Sequence, residues 1–234
     1  MGKQVLVVAA HPDDEILGCG ATIACHAAKG DKVHLLILGE GITSRSTSQK
    51  TISKNERAKN RLYTHSRNAA KLVGAQPPEF VRLPDNRFDT VALLDIVKAI
   101  EQVIARVKPV MIYTHQGGDL NVDHRRTLEA VLAATRPQKN TSVLDLYAFY
   151  IPSSSEWSFG RVSKTFTPNV FLDVTSTMNR KIKALESYKS EMRPFPHPRS
   201  IKAIHAQSLS WGAMVGVRNA EIFELIRSVR KQDN

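Results

Sequence analysis

Two short segments carry residue types that bind metals and move protons. The first is His11-Pro12-Asp13-Asp14-Glu15 and the second is Asp119-Leu120-Asn121-Val122-Asp123-His124. A histidine and a carboxylate three positions apart, at a turn from strand into helix, can face one point. His11 and Asp14 could therefore share a cation, with His124 supplying a third ligand from a neighbouring loop. Two histidines, one carboxylate and an open position form a catalytic zinc arrangement, because a structural site is closed by four protein ligands. Zinc lowers the pKa of a bound water from 15.7 to about 7–9, so hydroxide becomes available near neutrality. Asp13, beside these ligands but not needed as one, is then free to act as general base. The same residues also have a plainer use. Acidic side chains at a helix N-terminus oppose the macrodipole, and short ligand patterns recur without any metal.

The elements around these segments read as an α/β protein. Residues 3–10 form a nearly continuous β-branched and aliphatic run, the pattern of a strand buried on both faces. A helix over 16–29 follows, stopped by Gly30-Asp31, and residues 32–38 form a second buried strand. Further helices are expected at 54–74, 91–107 and 123–135, alternating with strands at 79–83 and 109–114. This alternation predicts a Rossmann-like, mostly parallel sheet with helices on both faces. In such sheets ligands bind beyond the carboxyl ends of the strands, where both segments fall. Past residue 150 the pattern loosens into a loop, a strand at 169–174, a helix at 175–190 and the segment Arg193-Pro194-Phe195-Pro196-His197-Pro198-Arg199. That proline-rich segment cannot be helical and is expected as a shaped loop. We read residues 1–234 as one domain with a C-terminal extension over the site.

With 42% hydrophobic and 24% charged residues, the composition excludes a disordered chain, a collagen and a disulfide scaffold. Cys19 and Cys25 would point to different faces of one helix, so no bridge between them is expected and a cytoplasmic setting follows. The opening apolar run ends at His11, too early for a signal peptide or a membrane span. The net charge of +11 raises nucleic acid as a partner, but the basic residues are scattered and aromatics make up only 6%. No nucleic-acid partner is expected. The densest basic stretches, residues 53–67 and 218–231, are expected as helices with solvated faces.

Ala10-His11-Pro12-Asp13-Asp14-Glu15, together with Asp123-His124, resembles the signature of the LmbE-like (PIG-L type) zinc-dependent N-acetylglucosaminyl deacetylases. The resemblance implies one zinc ion per chain held by His11, Asp14 and His124, with Asp13 activating the metal-bound water. It implies hydrolysis of the N-acetyl group of an amino sugar, small and glycoside- or nucleotide-linked, and it leaves a homo-oligomer open. The ligand set would also accept iron, cobalt or manganese. Many family members carry a histidine where this chain has Asn121. Asparagine can donate a hydrogen bond to an oxyanion but cannot deliver a proton. His197, in the proline-rich loop, is the candidate substitute acid, with His115 a second. Asp85 resembles a position that binds sugar hydroxyls, and Arg45 and Arg199 are further candidates for substrate contact. Rival readings are hydrolysis of another amide or acyl group, and a sugar- or nucleic-acid-binding protein without turnover.

Overall fold

The computed structural model describes residues 2–42, 52–139 and 141–230. Its strands are β1 (Gln4–Ala9), β2 (Lys32–Gly39), β3 (Glu79–Leu83), β4 (Met111–His115), β5 (Asp145–Phe149), β6 (Val170–Asp173) and β7 (Ala220–Ser228). Its helices are α1 (Asp14–Ala28), α2 (Ile52–Val73), α3 (Leu93–Val107), α4 (Val122–Ala134), α5 (Met178–Glu186) and α6 (Ile201–Met214). The seven strands form one sheet in the order β3-β2-β1-β4-β5-β7-β6. The first five are parallel, and β7 runs antiparallel to both of its neighbours.

Side chains alternate across the sheet because strand residues point to opposite faces in turn. Val5 and Val7 of β1 pack with Leu35, Met111 and Tyr113 against α1, α2 and α5. Leu6 and Val8 pack with Leu36, Leu38 and Ile112 against α3 and α4. Burial on both faces explains the unbroken aliphatic run of β1 and confirms the expected two-faced sheet. The chain leaves β1 towards β2 and β3 on one side and returns to β4 on the other. A topological switch point therefore lies between the carboxyl ends of β1 and β4.

Two differences from the sequence reading concern the C-terminal third. Residues 218–231 were expected to be helical, but 220–228 form β7, an interior strand paired with β5 and β6. Both faces of β7 mix apolar and charged residues (Ile222 and Glu224 on one, Glu221 and Phe223 on the other), so no clean period of two marks it as a strand. Strand β5 also had no counterpart in the sequence pattern; its five residues include Asp145 and Tyr147, which dilute the aliphatic signal.

Glu221 of β7 has a specific task. Helix α1 is broken at Cys19, where φ is −147° and ψ is 25°. Glu221 accepts the freed N–H groups of Ala21 (3.1 Å) and Thr22 (2.7 Å). Lys181 of α5 donates to the Leu17 carbonyl at 2.7 Å and to Glu221 at 2.6 Å. A buried ion pair thus caps both sides of the break, where unpaired backbone groups would otherwise cost about 1–3 kcal/mol each. Among the described residues, no helix is long and apolar enough to cross a membrane.

Candidate metal centre and catalytic cavity

The turn after β1 brings the first segment to the switch point. Gly39 is required there, since a Cβ would lie 2.8 Å from the Ala10 carbonyl oxygen and 3.3 Å from the His11 ring. Asp13 adopts φ = 125°, a region that costs a non-glycine residue of the order of 1–3 kcal/mol. Its backbone is tied on both sides. The Asp13 N–H donates to Glu15 at 2.9 Å, and its carbonyl accepts from Ile16 and Leu17 at 3.1 and 2.9 Å. Buried Glu15 is held in turn by the hydroxyls of Tyr188 and Ser66. Burial pushes the Glu15 carboxyl up to about 7 against these bonds.

His11, Asp14 and His124 each direct one ligand atom into a space where these atoms lie within 4.8 Å of one another. Carboxylates behind the rings orient both histidines. His11 Nε2 lies 2.9 Å from Asp123 Oδ2 and 3.2 Å from Asp85 Oδ1, so Nδ1 is the nitrogen turned to Asp14, at 3.3 Å. His124 Nδ1 lies 3.0 Å from Asp119 Oδ1, and its Nε2 is 3.2 Å from Asp14 Oδ2. A carboxylate behind each imidazole is the arrangement that fixes the tautomer of a metal-ligating histidine.

Asp123 is fixed by the N–H groups of Asn86 (2.7 Å) and Phe88 (2.9 Å). Asp119 accepts from Ser154, from Ser155 at 2.9 Å and from the Asn121 N–H at 2.9 Å. His11, Asp85 and Asp123 also stand close enough to form a metal-binding group. However, Asp123 is already engaged by two backbone donors and by the His11 ring, which suits an orienting role.

The fit to a cation rests on what is left over. Among the described residues, buried Asp14 Oδ1 and the His124 Nε2 turned towards it have no hydrogen bond of acceptable geometry. Such groups are expensive to bury unless something electropositive meets them. The titration tendencies agree. Burial works against charge throughout, yet Asp123 and Asp14 hold His11 well above its usual value, and Asp14 and Asp119 lift His124 to about 9. Burial likewise opposes the charge on Asp14, but His124 and His11 keep its carboxyl well below the usual range. The cluster gathers positive charge, which a divalent cation supplies in place of protons.

A cavity of about 100 Å³ opens beside His11. Its walls carry Asp13, Asp85, Glu191 and Arg199 together with the amides of Asn86 and Asn121. Burial raises the Asp13 carboxyl to about 8, and the Arg199 guanidinium opposes this shift from 2.8 Å. Arg199 Nε also donates to Ser153 Oγ at 2.8 Å. Asn121 caps α4 by accepting from the Asp123 N–H at 2.8 Å, and its Nδ2 donates to Asn86 Oδ1 at 2.9 Å.

The remaining candidates divide. Asp85 lines the cavity beside His11. His197 does not line it: its Nδ1 accepts from the Arg199 N–H at 3.1 Å and its ring stands edge-on to Trp157. His115 is fully buried, stacks on His124 at 4.0 Å and accepts from the Ala10 N–H at 2.9 Å. Burial, then the neighbouring His124, lowers its pKa well below the ordinary value. Arg45 lies outside the described residues. The sequence reading missed Glu191, which no local pattern marks. It also missed the orienting roles of Asp119, Asp123 and the hydroxyls of residues 153–155, although three successive serines after a strand were a visible signal for a polar turn.

A doubly wound sheet with this cluster at its switch point places the protein among the PIG-L (LmbE-like) enzymes. The family's sequence profile, described as GlcNAc-PI de-N-acetylase, matches residues 6–135, and the chain belongs to that family. The matched region runs from β1 through α4 and contains both motif segments. Diacetylchitobiose deacetylase of Thermococcus kodakarensis is 28% identical over 229 residues, covering 94% of this chain and 81% of that protein. The 4-oxalmesaconate hydratase of Pseudomonas putida is 30% identical over 200 residues, covering 79% of this chain and 72% of that protein. The crystal structure of the Pseudomonas putida 4-carboxy-2-hydroxymuconate hydratase GalB superposes with a TM-score of 0.78 at 22% identity, covering 99% of each chain.

Proposed function

We propose that this protein is a zinc-dependent hydrolase that removes the N-acetyl group from a small, glycoside- or nucleotide-linked amino sugar. The observation that carries this reading is the convergence of His11 Nδ1, Asp14 and His124 Nε2, two of them oriented from behind by carboxylates, beside the cavity wall at Asp13. The family and the diacetylchitobiose deacetylase relative support the acetamido substrate.

A zinc ion bound by His11, Asp14 and His124 would supply Lewis acidity, polarising the amide carbonyl and making water acidic enough to ionise near neutrality. Asp13 accepts the proton of the attacking water. Its Oδ2 is fixed by Arg199, so the carboxylate cannot swing away from the reacting atoms. Asn121 lines the same cavity, and its Nδ2 carries a second N–H besides the one given to Asn86, a neutral donor for the developing oxyanion that stabilises charge without moving a proton. Asp13 then returns its proton to the departing nitrogen. The C–N bond breaks, the carbonyl carbon keeps the water oxygen, and the products are acetate and a free amine. His197 does not line the cavity and instead accepts from the Arg199 N–H, so in this reading Asp13 serves as both base and acid. Asp85 and Arg199 meet the sugar portion at the cavity wall.

A second reading has its own support in the 30% identity to a hydratase. The same proton acceptor could activate water for addition to a carbon–carbon double bond, with Arg199 receiving a substrate carboxylate. The deciding experiment supplies the zinc-loaded protein with N-acetylated amino sugars, free and nucleotide-linked, and with 4-oxalmesaconate. Acetate release that stops with chelator and returns with zinc supports the deacetylase. Chelator-sensitive loss of the conjugated absorbance of 4-oxalmesaconate, without acetate from any sugar, overturns it in favour of the hydratase.

A further inference from the structure

A second cavity lies at the opposite end of the sheet from the metal centre. Lys3 and Asp31, which border it, immediately precede β1 and β2, and Met111 opens β4. These are the amino ends of parallel strands, whereas the cluster around His11 sits beyond the carboxyl ends, where ligands of such sheets bind. The cavity is about 230 Å³. An apolar cavity of about 150 Å³ already takes up benzene, so a six-membered ring fits.

Its walls are sorted by polarity. The sheet supplies an aromatic floor, in which Tyr113 and Tyr147 stack at 5.1 Å and 18° and Phe223 stands 5.0 Å from Tyr113. Val170 and Leu172 extend that floor, and like Tyr147 they are only partly buried. Helix α1 supplies the facing wall with Thr22, Cys25, His26 and its C-cap Lys29. These are spaced i, i+3, i+4 and i+7, so they share one helix face. Exposure falls along that face. Lys29 is exposed at the mouth, as Lys3 is, and one turn further in Cys25 and His26 are partly buried. At the inner end Thr22 is 1% exposed, and its Oγ1 is a buried polar atom without a hydrogen-bond partner. Such an atom is costly to leave unmet. Asp31 also borders the cavity, but its Oδ1 accepts from the Lys3 N–H at 2.8 Å and its Oδ2 lies 2.7 Å from His26 Nδ1. Two ammonium groups against one engaged carboxylate leave the mouth positive.

We propose that this cavity is a second ligand site, which takes a planar aromatic monocarboxylate with a hydrogen-bonding group opposite the carboxylate. The carboxylate meets Lys3 and Lys29, the ring lies along Tyr113, Tyr147 and Phe223, and the far group reaches Thr22 Oγ1. The site goes beyond the chemistry of the metal centre and holds whichever reaction that centre performs.

The test titrates 4-hydroxybenzoate, benzoate and cyclohexanecarboxylate into the zinc-loaded full chain by calorimetry. 4-Hydroxybenzoate is expected to saturate with a Kd of about 1 mM or tighter. Benzoate should bind about fivefold more weakly, the worth of one hydrogen bond, and cyclohexanecarboxylate more weakly still. The double variant Lys3→Gln/Lys29→Gln should weaken both aromatic acids about tenfold. Thr22→Val, which keeps the shape, should abolish the preference for 4-hydroxybenzoate over benzoate. The location is read separately. The chain has two cysteines, and Cys19 is fully buried, so alkylation by iodoacetamide reports Cys25. 4-Hydroxybenzoate at ten times its Kd should slow that alkylation about tenfold. Binding that leaves Cys25 alkylation unchanged belongs to the metal centre and overturns the proposal. No saturation by about 10 mM overturns it, as does an affinity indifferent to both lysines. A preference that survives Thr22→Val would mean that the hydroxyl holds only water, which also overturns it. A Cys25 that reacts more slowly as protein concentration rises, without any probe, would give the cavity to a second copy of the chain instead.

Discussion

Replacing Asp119 by asparagine tests whether the cluster is a metal centre or only a buried network of charges. Asp119 stands 3.0 Å from His124 Nδ1, is fully buried, and is held by two serine hydroxyls and a backbone N–H. The substitution keeps the shape but removes the charge that orients the imidazole and raises its basicity. Orienting partners of this kind are typically worth 10–100-fold in metal affinity, about 1.4–2.7 kcal/mol. The structure gives an independent magnitude. Burial opposes the charge on Asp119, but His124 and the hydrogen bonds from Ser154 and Asn121 hold its pKa down to about 2, from an ordinary 3.8. That depression corresponds to about 2 kcal/mol of preference for the ionised form in the metal-free protein. Because the folded-state value lies below the unfolded one, this stability is present above about pH 4 and is lost as the pH falls towards 2. Two measurements follow. Competition with a chromophoric chelator should show a zinc Kd raised 10–100-fold in Asp119→Asn. Urea unfolding of the chelated proteins should show a gap of about 2 kcal/mol at pH 7 that shrinks below about pH 4 and closes as the pH falls through about 2. A folded variant with unchanged zinc affinity would refute the claim that Asp119 supports a metal ligand, whatever the unfolding experiment showed.

Three further outcomes are expected. Asp13→Asn should lower kcat by about 10²–10⁴ while the bound zinc measured by elemental analysis stays at one per chain, since a general base contributes about that factor; loss of the metal along with the rate would show Asp13 to be a ligand instead. Lys181→Met should destabilise the fold by about 3 kcal/mol in denaturant titrations, because it strands the buried Glu221 carboxylate with two backbone donors as its remaining named partners. Adding Glu221→Gln should recover part of that loss, and equal stability of single and double variants would show that the pair does not cap the α1 break. Gly18→Ala places a Cβ 2.5 Å from the Phe149 ring, which itself stands edge-on to His115. Overpacking of this kind costs about 1–3 kcal/mol. The melting temperature should fall, and an unchanged value would mean that Phe149 has room to move.

The parts that the sequence made legible are those where local chemistry and long-range placement coincide. The aliphatic run of β1 had to be buried on both faces. His11 to Glu15 follow it directly, so their position at a strand end was fixed by chain connectivity alone. Asp119 to His124 were legible for the same reason: they lie between a strand and a helix that both carry clear periods. What stayed hidden depends on partners distant in sequence. Arg199 reaches Asp13 across 186 residues, and Tyr188 reaches Glu15 across 173. Neither contact leaves a local signature, and Glu191 reaches the cavity wall from a turn with no pattern of its own. Strand β7 shows the opposite failure. Its basic neighbours suggested a solvated helix, while its place is set by pairing with β5 and β6, and the role of its buried Glu221 comes from a helix break some 200 residues earlier in the chain. The proline-rich loop shows the same dependence on distant partners: it delivers Arg199 into the cavity and turns His197 towards Trp157, neither of which a local pattern marks. The long-range contacts therefore decide not which chemistry the first segment can do, but which groups position it and what extends beyond it.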